Sequence, residues 1–277
     1  MKNMLGTFLG LSVKKKLLAM NLHLDNQLFI VGGATSGFGK AIATALVAEN
    51  SKVIAIARSE AQLQLLKQEY PLNIEILAAD ITQSSTAEKL VALLNGRQLH
   101  GVVMNAGGPP AKTVLETTMD DWDTAYNSIL RWKVALTKTL VPLIKPHGYG
   151  RFLFIESASV KQPLENLVLS NSLRLAVVGM VKTLALEIAN TGITLNILAP
   201  GSHNTPAINR IYTKKSEQTG LEIDAVKEAA IKQIPVQFLG EADDFASLAV
   251  WLLSKNSRYI TGQTITVDGG AVRGTMG

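Results

Sequence analysis

The chain has 277 residues, 47% of them hydrophobic and 18% charged, which is enough to bury a large core, and an α/β sheet of this size commonly forms one domain. It contains no cysteine, so disulfides, thiolate metal sites and a cysteine nucleophile are excluded. Of the net charge of +5, Lys2, Lys14, Lys15 and Lys16 supply four units within the acid-free residues 1–19, so the rest of the chain carries almost no net charge and no broad nucleic-acid footprint.

Residues 1–19 read as an N-terminal extension to a domain spanning 20–277. An apolar run from Met4 to Val13 precedes three lysines; it is too short to span a bilayer and lacks the order of a signal peptide. An extra helix packed on a neighbour, a tail and a weak membrane-surface anchor all fit it, the anchor least, because one short amphipathic signal binds weakly.

The first domain element is the apolar run Leu28-Phe29-Ile30-Val31, which breaks into glycines at Gly32, Gly33, Gly37 and Gly39 and then turns helical, with Ala41, Ile42, Ala45 and Leu46 on one face. Strand, tight turn and helix in that order make a candidate phosphate cradle, with an ordinary tight turn as the alternative. Glycine opens backbone angles closed to other residues, and its missing Cβ lets an anion approach the free amides of a helix start. The spacing Gly33-x-x-x-Gly37-x-Gly39 differs from the usual dinucleotide fingerprint, so the turn alone decides nothing.

Lys52 to Ala57 reads as a second strand ending at Arg58 and Ser59, Ser59 to Gln68 as a helix, and Asn73 to Ala78 as a third strand ending at Asp80. Ser84 to Leu94 is helical, and Gly101 to Met104 is a fourth strand running into Asn105-Ala106-Gly107-Gly108-Pro109-Pro110. Asp120 to Leu143 predicts one long helix, Arg151 to Ile155 a fifth strand ending at Glu156-Ser157, and Leu169 to Ile188 a second long helix with one apolar stripe. Thr194 to Leu198 is a sixth strand ending at Pro200-Gly201. Residues 203–236 read as a flap over the strand ends, Asp243 to Leu253 as a final helix and Gln263 to Val267 as a last strand. Strands alternating with helices imply a single-domain, Rossmann-like, doubly wound parallel sheet, which binds ligands at the carboxyl ends of its strands.

Taken together, these motifs resemble the short-chain dehydrogenase/reductase family from about Leu24 to Gly270. Gly33 to Gly39 is similar to its T-G-x-x-x-G-x-G, with Gly32 in place of threonine. Asp80-Ile81 is similar to its adenine-binding pair, and Asn105-Ala106-Gly107 to the end of N-N-A-G. Pro200-Gly201 with Thr205 resembles P-G-x-x-x-T, and Tyr259 to Gln263 with Asp268-Gly269-Gly270 the C-terminal signature. The likeness is strongest to the branch labelled 3-oxoacyl-[acyl-carrier-protein] reductase. It implies a nicotinamide cofactor held by Gly33, Ser36, Gly37, Phe38, Gly39, Arg58, Ser59, Asp80, Ile81, Asn105, Ala106, Gly107, Arg174 and Thr205. Arg58 stands 19 residues after Gly39, where a carboxylate selects NAD and an arginine suits a 2′-phosphate, so NADP is favoured over NAD. Ser36 counts against this, because many NADP-preferring relatives are basic there.

The family's catalytic positions are mostly replaced. Aligning Ser170-x-x-x-Arg174-x-Ala176-x-x-Gly179 with Y-x-x-x-K-x-A-x-x-G puts Ser170 at the tyrosine and Arg174 at the lysine. Ser157, thirteen residues earlier, falls on the serine, and Ile129 takes the place of the asparagine. A serine hydroxyl is a far weaker acid than a phenol and arginine stays protonated, so Ser170 and Arg174 do not relay protons as the usual pair does. Losing a positioned general acid costs about 10² to 10⁴ in rate. Tyr126, Lys161, His203 and Tyr212 are substitute acids, with His203 foremost because histidine titrates near neutral pH; each also reads as packing or as a surface residue.

Two functions stay open: an NADP(H)-dependent oxidoreductase on a small or acyl carbonyl with an altered proton route, and a nucleotide-binding sensor or silent partner subunit. A scaffold that binds no cofactor is disfavoured by the retained motifs. The resemblance also implies a cytoplasmic homo-oligomer, tetramer or dimer, packed through the two long helices near Trp132. No metal-ligand spacing is present, and neither nucleic acid nor membrane is an expected partner.

Overall fold

A computed structural model describes residues 20–275. The expectations placed on residues 1–19 therefore lie outside the described residues. Seven strands form one parallel sheet: β1 Leu28–Gly32, β2 Lys52–Ala57, β3 Ile74–Ala78, β4 Gly101–Met104, β5 Gly150–Ile155, β6 Ile193–Pro200 and β7 Thr264–Val267. Their order is β3-β2-β1-β4-β5-β6-β7. The order reverses between β1 and β4, which leaves a crevice at their carboxyl ends.

The continuous apolar strands follow from burial on both faces, and the two-residue period divides each strand between two cores. Leu28 and Ile30 of β1, Val102 and Met104 of β4, and Phe152 and Phe154 of β5 point into one core. Phe29, Val31, Val103, Leu153 and Ile155 point into the other. The first core is closed by α3 Ser84–Leu94, α4 Met119–Ala125, α5 Trp132–Ile144 and α6 Val168–Glu187. The second is closed by α1 Gly37–Ala48, α2 Glu60–Glu69 and the last helix of the chain, Ala242–Leu253. Between α6 and that last helix, residues of the expected flap form α7 Pro206–Thr219 and α8 Ile223–Ile231, which makes Ala242–Leu253 α9.

By length and composition α6 is apolar enough to cross a membrane, but Leu169, Val177, Val181 and Ala185 pack it on the sheet as a core helix.

The long helix expected over residues 120–143 is not one regular helix. A π-turn at Tyr126–Arg131 joins α4 to α5, a widening that is frequent at functional sites. Ile129 in this turn is 1% exposed and belongs to the core. Trp132 is also core rather than contact surface: it is 4% exposed and its Nε1–H donates to the Ser128 carbonyl at 2.8 Å.

Candidate active site

The turn between β1 and α1 owes its shape to glycine at three positions. Gly33 and Gly37 have φ of 63° and 49°, in the left-handed region. A Cβ on Gly39 would lie 2.2 Å from the Gly33 carbonyl oxygen, so only glycine lets the turn fold back on the helix start. Ser36, the N-cap, makes no side-chain capping bond and no acid occupies the first turn of α1, so the helix presents free amides and an unopposed positive dipole end. Across the crevice, the Asn105 side-chain amide donates to the Gly32 carbonyl at 3.1 Å and ties the end of β4 to the turn.

These elements enclose a cleft of about 800 Å³ at the carboxyl ends of the strands. Gly33, Ser36, Gly37, Phe38, Arg58, Ser59, Asp80, Ile81, Asn105, Ala106, Gly107, Arg174 and Thr205 border it. Gly39 sits behind this wall and acts by letting Gly33 approach. The Ser59 hydroxyl oxygen caps α2 by accepting from the Gln62 N–H at 3.4 Å, which leaves its proton free to donate. Asp80 Oδ1 accepts from the Thr82 N–H at 2.9 Å and its hydroxyl at 2.8 Å, a local turn that fixes the carboxylate at the cleft edge. Arg58 is exposed at the mouth and, among the described residues, is in no ion pair, and Arg210 of α7 borders the same cavity. Sequence reasoning missed Arg210, since nothing in a polar helix singles out one cation.

The other end of the cleft is built on a buried charge cluster. Arg174 Nε donates to Ser170 Oγ at 3.1 Å, and its Nη1 donates to Glu156 Oε2 at 2.9 Å. Glu156 Oε1 accepts from Lys133 Nζ at 2.5 Å. The side chain of Glu156 is wholly buried, and those of Lys133 and Arg174 are 3% and 10% exposed. Burial is the main cause that pulls the Lys133 ammonium down to about 8; Glu156 opposes the shift and Arg174 adds to it. The free Nη2 of Arg174 comes up against the loop after β4, where a Cβ on Gly108 would lie 3.2 Å from it.

In the sequence Glu156 reads only as the end of a strand, and Lys133 belongs to no motif. The signal was present, because Lys133 lies on the stripe Ile129, Leu136, Leu140 and Ile144, whose other members are all core residues.

Ser157 and Ser170 are not themselves among the residues that border the cavity, but each adjoins one that is, Ser157 next to Glu156 in the chain and Ser170 through its bond to Arg174. Ser157 Oγ accepts from the Ser159 N–H at 3.1 Å. Ser170 Oγ, taking one bond from Arg174, keeps its own proton to donate. Of the substitute acids, His203 is 3% exposed and wedged between aromatic rings, 5.0 Å from Phe38 and 5.7 Å from Phe245. Its Nδ1 lies 3.1 Å from the Gly201 carbonyl, and a Cβ on Gly240 would meet its ring at 2.7 Å. It is a packed residue and does not border the cleft. Tyr212 is buried at 4% exposure, which raises its phenol above the ordinary value, and Tyr126 is 44% exposed.

Residues 33–272 match the family model described as Enoyl-(Acyl carrier protein) reductase. Over 252 residues the chain is 31% identical to a 3-oxoacyl-[acyl-carrier-protein] reductase FabG of Rickettsia bellii, covering 90% of this chain and 98% of that one. Over 256 residues it is 29% identical to human dehydrogenase/reductase SDR family member 4, covering 89% and 88%. The chain is a short-chain dehydrogenase/reductase. The fold of this dehydrogenase/reductase also superposes on an actinorhodin polyketide ketoreductase solved with NADPH, at 26% identity and a TM-score of 0.85 over 90% of this chain and 98% of that one. An L-sorbose reductase of Gluconobacter frateurii, complexed with NADPH and L-sorbose, shares the fold at 23% identity and a TM-score of 0.86, covering 92% and 100%.

Proposed function

We propose that this chain is an NADP(H)-dependent oxidoreductase interconverting a carbonyl and an alcohol on a small or acyl substrate, 3-oxoacyl compounds among them, through an altered proton route. The observation that carries the reading is Arg58, which follows β2 at the cleft mouth beside Ser59, where selection of NAD calls for a carboxylate. Arg210 adds a second guanidinium to the same cavity. The NADPH complexes of the ketoreductase and the sorbose reductase support the same cofactor.

NADPH, when bound, supplies the hydride. This chain's own residues do the rest: the amides of Gly37 to Gly39 and the α1 dipole hold the pyrophosphate, Arg58 and Ser59 hold the 2′-phosphate, and Asp80 and Ile81 wall the adenine end. At the reacting end, Ser157, Ser170 and the fork of Arg174 grip the substrate oxygen or a water that delivers its proton. Glu156 and Lys133 keep that fork in place.

The test is a fluorescence titration with NADPH against NADH, followed by NADPH consumption with a 3-oxoacyl thioester. Tight NADPH and weak NADH binding is the expected result. Binding of neither nucleotide overturns the reading. Turnover that survives Ser157→Ala unchanged overturns the proton route.

The second reading, a silent NADP(H)-binding sensor or partner subunit, draws on the missing phenol and lysine. Binding with no turnover on any carbonyl decides for it. For assembly, Leu143 of α5 and Leu175 and Leu186 of α6 are 41%, 53% and 76% exposed, which supports a homo-oligomer packed through these helices, with light scattering as its check.

A further inference from the structure

At the other end of the sheet, a second cavity of about 840 Å³ opens beside the amino ends of β5 and β6. Its wall includes His23, Tyr149, Arg151, Thr194, Lys255 and Arg258, and it shares no residue with the nucleotide cleft. Arg151 and Glu156 sit at opposite ends of one strand, about 16 Å apart at the usual strand rise. We propose that this cavity binds a small soluble ligand through a multivalent oxyanion, a phosphate or pyrophosphate group.

Three cations converge on the cavity without a counter-charge. Among the described residues, none of Arg151, Lys255 and Arg258 is in an ion pair with a carboxylate. Arg151 is only 3% exposed, and each of its hydrogen bonds goes to a neutral carbonyl: Nε to Ser254 at 3.0 Å, Nη1 to Gly150 at 2.8 Å and to Gly192 at 3.2 Å. Tyr149 supplies no negative charge either. Burial pushes its phenol up to about 12, and its hydroxyl donates to the Leu253 carbonyl at 2.8 Å. Its ring instead stacks against both cations, 4.3 Å from the Arg151 guanidinium and 5.8 Å from Lys255 Nζ. The positive field reaches His100, which is pulled down by burial first and then by Lys255 and His147.

A guanidinium held by carbonyls alone is explained as a staple between β5 and the turn after α9. That role does not account for Lys255 and Arg258 on the same wall. An oxyanion supplies the negative charge that these cations lack.

The experiment is calorimetric titration of the full chain with pyrophosphate at constant ionic strength, in the wild type, in Lys255→Glu/Arg258→Glu and in Arg58→Ala. Lys255, Arg258 and Arg58 are exposed, so the substitutions leave the core intact. Saturable binding is expected in the wild type, weakened at least about tenfold by the double charge reversal, since reversing two nearby charges acts through little screening at this range. Pyrophosphate also fits the glycine turn of the nucleotide cleft, so the signal of this site is the one that the double variant weakens and that Arg58→Ala leaves unchanged, and it is expected to persist even if the chain binds no nucleotide. No saturable binding in the wild type overturns the proposal, as does wild-type affinity in the double variant or loss of the binding in Arg58→Ala. Phosphatidylglycerol vesicles test the other source of the same chemistry: sedimentation with them, without binding of free pyrophosphate, also overturns it.

Discussion

Arg174 Nη1 lies 2.9 Å from Glu156 Oε2, and the carboxylate so engaged is fully buried. Glu156 therefore neutralises one of the two cations that touch it, and Lys133, on its other oxygen, is the surplus charge. The two partners are thus unequal. Glu156→Gln leaves two buried cations facing each other and is expected to cost about 3–5 kcal/mol, because breaking a buried pair strands a charge. Lys133→Met leaves the Glu156 and Arg174 pair intact and is expected to change stability by no more than about 1 kcal/mol. Urea unfolding of both variants checks this; equal costs would show that the three charges do not divide in this way.

The same surplus gives stability a pH dependence. Lys133 sits at about 8 in the folded chain against an ordinary 10.5, so between those values the unfolded chain binds more protons than the folded one. Stability then rises with pH across that window, because the buried ammonium is lost while the unfolded lysine is still charged. Relative to Lys133→Met, the wild type is expected to gain about 2 kcal/mol between pH 7.5 and 9.5. Unfolding curves at the two pH values for both proteins measure it, and a flat difference would place the ammonium near its ordinary value.

Nucleotide choice is expected to follow Arg58. Charge-assisted bonds to a phosphate contribute about 1.5–3 kcal/mol, so Arg58→Ala should weaken NADPH by about 10- to 100-fold. NADH, which has no 2′-phosphate, should shift by less than about threefold. Parallel fluorescence titrations read both. Equal losses for the two nucleotides would show that Arg58 acts on something other than the 2′-phosphate.

The sheet was legible because its signals are local. Continuous apolar runs such as Phe152 to Ile155 are what burial on both faces demands, and the turn residues that end them lie next to them in sequence. The walls of the cleft were legible for the same reason, since each motif stands at a strand end. What escaped was anything set by a partner distant in sequence. Glu156 and Lys133 are 23 residues apart and acquire their meaning only when α5 lies across the end of β5. His203 is the converse case: its residue type suggested chemistry, while Phe38, Phe245 and Gly240, brought in from three segments, pack it in place. The π-turn around Ile129 was illegible too, because a six-residue widening leaves the apolar stripe of the helix almost unchanged.

The glycine turn makes demands that differ by position, and this can be measured. Gly39 is closed by contact, since a Cβ would press to 2.2 Å on the Gly33 carbonyl oxygen, which is backbone and has nowhere to swing. Gly37 is closed only by its φ of 49°, and a Cβ there would meet nothing nearer than Thr205 at 3.7 Å. Gly39→Ala must displace the turn, so it is expected to destabilise the chain by about 2–3 kcal/mol and to abolish NADPH binding together with the cradle. Gly37→Ala should cost about 1 kcal/mol, the strain of a left-handed alanine, and should weaken the nucleotide without eliminating it. Thermal unfolding and NADPH titration of the pair settle the order. If Gly37→Ala were the more damaging, backbone conformation rather than close approach would be what shapes the phosphate cradle.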